Sequence, residues 1–151
     1  MTLRLSTGLR TNLVGSTGFA STFANGVIEI YSGTQPATAD AAVTGTLLGT
    51  VTLGSGAFTP GTSTNGLTFA AASGGSVSKS GTWSFNGIAE GTAGWFRFKG
   101  NAVDAGGVST TLPRMDGSVA VSGGDMALSN ISITIGAPNT IDTFTYTQPA
   151  Q

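Results

Sequence analysis

Seven carboxylates, six cations and two tryptophans are the side chains of this 151-residue chain that could do chemistry, because histidine and cysteine are both absent. Losing imidazole removes the commonest general base, the commonest metal ligand and the physiological pH switch together. Losing thiols removes disulfides, thiolate nucleophiles and Cys-ligated metals. Serine and threonine abound, but serine activation of the triad kind needs a base that the chain does not hold. Paired carboxylates for glycoside hydrolysis would need one acid in an apolar pocket. Glu90, Asp104, Asp116 and Asp125 instead fall beside turn signals, with Asp116 preceding Gly117 and Asp125 following Gly123-Gly124. The Asp-x-Asp-x-Asp-Gly spacing of a calcium loop is missing, and no glycine run stands between a strand and a helix as a phosphate loop must. We therefore expect no enzyme, no metal and no cofactor. Trp83, Trp95 and Tyr31 could stack on sugar rings; the rival reading of such residues is core or subunit-interface anchor. Asn130-Ile131-Ser132 matches a glycosylation sequon at the start of a strand.

The element that must position the aromatic and charged residues is Thr92–Lys99, the densest aromatic stretch. Successive strand side chains point to opposite faces. Phe96 and Phe98 then share a core face, while Trp95, Arg97 and Lys99 share a half-wet one. Glu29 stands mid-strand among apolar residues in Val27–Tyr31 and needs a cation across the sheet, for which Arg97 is the expected partner.

Around that central strand the chain reads as short strands and tight turns. Leu5–Gly15 is the one expected helix: Ser6 or Thr7 caps it, Leu5, Leu9 and Leu13 line one face, and Gly15 ends it. Gly8 weakens it by about 1 kcal/mol, so it needs docking to form. Further strands are expected at Leu47–Leu53 (paired with 27–31), Leu67–Ala70, Ser76–Ser80, Thr82–Phe85, Val108–Met115, Ser118–Val121, Ile131–Ile135 and Thr140–Thr147. Asn25-Gly26, Asn65-Gly66 and Asn86-Gly87 mark turns, and Asp116-Gly117 is the strongest two-residue hairpin signal. Ala37–Ala42 is a small-residue loop. Turns spaced about 8–12 residues apart predict an all-β fold, an antiparallel β-sandwich or jelly roll. It forms one domain over residues 1–151, with residues 1–15 as a helix or arm.

Only 9% of residues are charged and the net charge is −1, against about 25% charged in typical domains. Such a chain carries no electrostatic footprint for nucleic acid or an anionic membrane, and its weak self-repulsion suits packing against copies of itself. No stretch approaches the roughly 18 apolar residues of a membrane span. Met1–Val14 lacks the continuous apolar segment of a signal peptide.

The run Phe23–Ala42, continued by Thr44–Thr50, resembles a small family of tailed-bacteriophage structural proteins. Gly91–Arg97, Arg114–Ser118 and Ile141–Thr145 resemble its later segments. The resemblance implies a virion protein without catalytic residues: a capsid decoration (cement) protein on the head surface, partnered by itself as a homotrimer and by the major capsid protein. The expected contacts are Thr2–Val14 and the loop Ser32–Thr44, with Leu5, Leu9, Arg10, Leu13, Gln35, Pro36, Trp95, Arg97 and Lys99 as interface candidates. The alternative is a tail or fibre component that binds host-surface glycans through Trp83, Trp95 or Tyr31.

Overall fold

The computed structural model describes residues 3–150, so Met1 and Thr2 of the expected N-terminal arm, and Gln151, lie outside it. In chain order the elements are β1 (Arg4–Leu5), α1 (Thr7–Val14), α2 (Phe19–Phe23), β2 (Val27–Ser32), β3 (Leu47–Leu53), β4 (Thr68–Phe69) and β5 (Ser76–Ser80). Then follow β6 (Trp83–Asn86), β7 (Gly91–Lys99), β8 (Arg114–Ala120), β9 (Met126–Ala127), β10 (Ser132–Ile133), β11 (Pro138–Ile141) and β12 (Thr145–Thr147). The larger sheet runs β1-β8-β7-β2-β3-β6-β11, with β9 added to β8 and β10 to β7; the smaller runs β12-β5-β4. All pairings are antiparallel except β8 with β9. The all-β sandwich read from the alternation is the fold observed, with β7 inside the larger sheet as its longest strand.

Cross-strand partners share a face. Ile28 lies opposite both Phe98 and Val51, Ile30 opposite Phe96, and Phe98 opposite Met115, which makes one continuous apolar face. Phe69 from β4 and the buried Val77 and Tyr146 from the smaller sheet join these residues in one core, together with Leu9, Phe19 and Phe23 from the helices. Phe98 is its hub, with ring centroids 4.4 Å from Phe23, 5.7 Å from Phe144 and 5.9 Å from Trp83.

The helix α1 forms as its cap predicts: the Ser6 hydroxyl accepts from Leu9 N–H at 3.0 Å, and the Gly15 N–H closes on the Thr11 carbonyl. The Ser6 hydroxyl also donates to the Leu112 carbonyl at 2.9 Å, tying the helix to the loop before β8. A second helix, α2, forms where the sequence pattern predicts none. Its five residues have little helix propensity, and it exists because Phe19 and Phe23, one turn apart, both drop into the core. Gly8 is present for a reason that helix propensity hides: a Cβ there would lie 2.3 Å from the Thr111 carbonyl oxygen. In an isolated helix Gly8→Ala would gain about 1 kcal/mol. Here it is expected to lose about 1–3 kcal/mol through backbone overpacking. Urea unfolding checks the sign, and a variant more stable than the parent would contradict the close approach.

Three sequence expectations need correction. Asp116-Gly117 is not a hairpin turn; both residues lie inside β8, and Gly117 has no positive φ. A Cβ on Gly117 would sit 2.7 Å from the Phe96 ring, so this glycine makes room for an aromatic instead of turning the chain. The strand expected from Val108 begins only at Arg114. Before it, the Ser109 hydroxyl accepts from the Thr111 and Leu112 N–H groups, holding that stretch as a loop. The run Thr140–Thr147 is likewise divided: β11 belongs to the larger sheet and β12 to the smaller, so the chain crosses between layers at 142–144.

Candidate functional site: a buried ionic network and its two clefts

The other face of the larger sheet carries charge. Register places Glu29 opposite Arg97 and Arg97 opposite Asp116, with Lys99 opposite Arg114 one step along. Two cations directly opposite each other would repel, and Asp104 from the β7–β8 loop resolves the clash. Its carboxylate accepts from Arg114 Nε at 2.7 Å and Nη2 at 2.6 Å, while its backbone carbonyl accepts from Lys99 Nζ at 2.7 Å. Lys99 Nζ also donates to Glu29 Oε1 at 2.7 Å, and Tyr31 Oη donates to Glu29 Oε2 at 2.6 Å. Arg97 grips Asp116 through two parallel bonds of 2.7 Å each, and its Nη1 donates to the Ala41 carbonyl at 3.0 Å. Trp95 stacks on Tyr31 with centroids 4.6 Å apart, and the Arg97 guanidinium lies 5.6 Å from the Trp95 ring centroid.

Two loops roof this face. The β2–β3 loop supplies Ala41 and, through Pro36, a carbonyl acceptor for Arg4; the β7–β8 loop supplies Asp104. They are tied to each other by Val43 N–H to Gly106 and Ser109 N–H to Asp40. Asp40 in turn accepts from the Thr7 N–H and hydroxyl at the start of α1. Three of the six Lys and Arg residues and three of the seven acids are thus committed to one charge-neutral interior layer. Trp95 Nε1 is buried there without a hydrogen-bond partner.

Burial opposes ionisation throughout this layer, and the partners decide the outcome. For Asp104, the burial cost is outweighed by the Arg114 bond, the Gly106 N–H and the Lys99 charge, so its carboxyl titrates below the usual range. For Asp116, burial prevails over Arg97 and pushes the carboxyl up. The Tyr31 phenol is pushed far up by burial, then by its bond to Glu29 and by that residue's charge. The linkage signs follow. A carboxylate depressed in the fold contributes stability above its unfolded value of about 3.9, and that contribution is lost as pH falls through the folded one. Asp104→Asn is therefore expected to melt below the parent at pH 7, with the gap closing as pH drops under about 4. Melting curves across acid pH test this, and a gap independent of pH would count against it.

This geometry corrects several site expectations. Trp95, Arg97 and Lys99 do not form a half-wet face; the loops bury all three, Trp95 and Arg97 completely, and Lys99 keeps only a small exposed edge. Glu29 takes Lys99 and not Arg97, because the Arg97 fork is already filled by Asp116. Asp116 is an internal counter-ion and not a turn acid. Leu9, Gln35 and Pro36 are buried as well. Trp83, Trp95 and Tyr31 are covered by their own chain, which removes them as sugar-stacking platforms. Asp125 accepts from the Ser118 N–H and hydroxyl, whereas Glu90 and Asp142 are exposed. Among the described residues no group of three or more acids could hold a metal ion, and no helix is long and apolar enough to cross a membrane. The residues that sequence reasoning missed are Asp104 and Arg114. The alternation of Arg114, Asp116 and Ser118 with Met115, Gly117 and Val119 is a strand signal that the Asp-Gly dipeptide masks.

Of the clefts that open on the described residues, two bear on the network and on the expected contact residues. A polar one of about 460 Å³ borders the network beside Glu29 and Lys99. An apolar groove of about 680 Å³ runs between α1 and β12 and collects Leu5, Arg10 and Leu13, three of the expected contact residues, beside Leu3, Tyr146 and Pro149. The chain matches no protein-family model, and no curated protein or solved structure is significantly similar to it.

Proposed function

We propose that the chain is a structural protein of a bacteriophage particle, a head-decoration (cement) protein that acts by burying surface between capsomers. The observation that carries this reading is the groove between α1 and β12. It is lined mainly by apolar side chains, and Val14 at its rim is 88% exposed. Contiguous exposed apolar surface marks an interaction site more often than it occurs idly. The resemblance of Phe23–Thr50 and Gly91–Arg97 to phage structural proteins supports the same reading. So does the interior commitment of the charged residues, which leaves a stiff body whose unspent surface is largely apolar or hydroxyl-bearing. A homotrimer would present three such grooves on one side of the tile.

The test is direct. Heads assembled without the chain should appear ruptured or collapsed in negative-stain micrographs, and added protein should rescue them, whereas Leu13→Asp protein should fold but fail to rescue. Light scattering should return three times the 15.0 kDa of one chain. Robust heads in the absence of the protein would overturn the proposal.

A further inference from the structure

The polar cleft points to a ligand of its own. It lies on the outer face of β2, β3 and β6, where the roofing loops stop short, and Glu29, Thr50, Asn86 and Lys99 line it with Phe58 and Ile88. Glu29 keeps 15% of its side-chain surface exposed and Lys99 7%, whereas Arg97 and Asp116 keep none. The open end of the ionic network therefore faces this cleft, and the closed end does not. We propose that the cleft binds an uncharged saccharide, with Glu29 and Lys99 as the fixed polar floor and Phe58 as the stacking platform. This goes beyond the decoration role and does not depend on it.

Charge selects the ligand class. Lys99 is neutralised by Glu29, and Asp104 by Arg114, so the floor offers no net field to a phosphate or a cation. What it offers is donors and acceptors held in place. The Glu29 oxygens are each engaged once, by Lys99 and by Tyr31, and a carboxylate oxygen can accept a second bond. The Thr50 hydroxyl stands directly across the β2–β3 ladder from Glu29. Among the described residues the Thr50 hydroxyl and the Asn86 amide have no hydrogen-bond partner within the chain. A sugar hydroxyl both donates and accepts, which suits such a mixed floor. The half-buried Phe58 ring supplies an apolar surface for the C–H face of a pyranose. The volume falls inside the range of about 300–1,000 Å³ usual for small-molecule clefts.

The experiment is saturation-transfer-difference NMR on the full chain with glucose, galactose, mannose, N-acetylglucosamine and their disaccharides, each up to about 10 mM. At least one should receive saturation, mainly at its ring C–H protons. Phe58→Ala and Thr50→Val should each weaken its binding about tenfold with the melting temperature unchanged. Thr50→Val is nearly isosteric, so it keeps the test valid if the loop variant misfolds. Leu13→Asp, in the apolar groove, should bind sugar normally. No transfer to any of these sugars, or binding by both cleft variants as tight as the parent's, would overturn the proposal.

Discussion

Asp116→Asn is expected to lower the unfolding free energy by about 3–5 kcal/mol, because it strands the Arg97 charge in an interior with no other carboxylate in contact. Arg97 and Asp116 each have 0% side-chain exposure and share two bonds of 2.7 Å. The attraction of such a pair roughly offsets the cost of taking both charges out of water, so its net worth is small. The worth of one partner without the other is strongly negative. For a domain of this size the loss corresponds to a fall in melting temperature of roughly 10 °C. Removing both charges separates these quantities. Arg97→Met with Asp116→Val should recover most of the stability, leaving the Ala41 carbonyl with only the longer 3.5 Å bond from Arg114 Nη1. Thermal unfolding followed by circular dichroism measures all three proteins. A single variant within about 1 kcal/mol of the parent would mean that water reaches the pair.

Phe98→Ala is expected to cost about 3–5 kcal/mol, the upper range for aromatic truncation in a core. Phe98 is fully buried, and its ring meets Phe19, Phe23, Phe69, Trp83 and Phe144. Those partners come from α2, β4, β6 and the crossing between sheets, so no single backbone shift can collapse the void. Phe98→Leu should cost much less, about 1–1.5 kcal/mol. Denaturant unfolding with an unchanged m-value would confirm that stability alone has moved. Equal losses for Ala and Leu would show that edge-to-face ring geometry, and not volume, holds this part of the core together.

Both predictions act through β7, and they show how far the amino-acid order could be read. The alternation within Gly94–Lys99 placed Phe96 and Phe98 on one face and Trp95, Arg97 and Lys99 on the other, which the coordinates bear out. The wetness of the second face was not legible. Alternation reports which side of a strand a residue takes, and says nothing about which loops fold back over that side. Glu29 needed a cation and has one, but register alone put Arg97 opposite it. The competing claim of Asp116 came from a strand that the Asp-Gly dipeptide had made to look like a turn.

Composition and short-range pattern were enough to determine a glycine-punctuated all-β sandwich, a short N-terminal helix capped by Ser6 or Thr7 and a chain without imidazole or thiol side chains. These features depend on backbone preference and side-chain period, which act between near neighbours. Only the tertiary structure decided that half of the cations would be interior, that Asp104 would separate Lys99 from Arg114, and that Leu5, Arg10 and Leu13 would line one groove while Leu9 joined the core. The physical reason is that desolvation and ion pairing depend on what covers a residue, and here the cover comes from two loops whose path over the sheet no local pattern encodes.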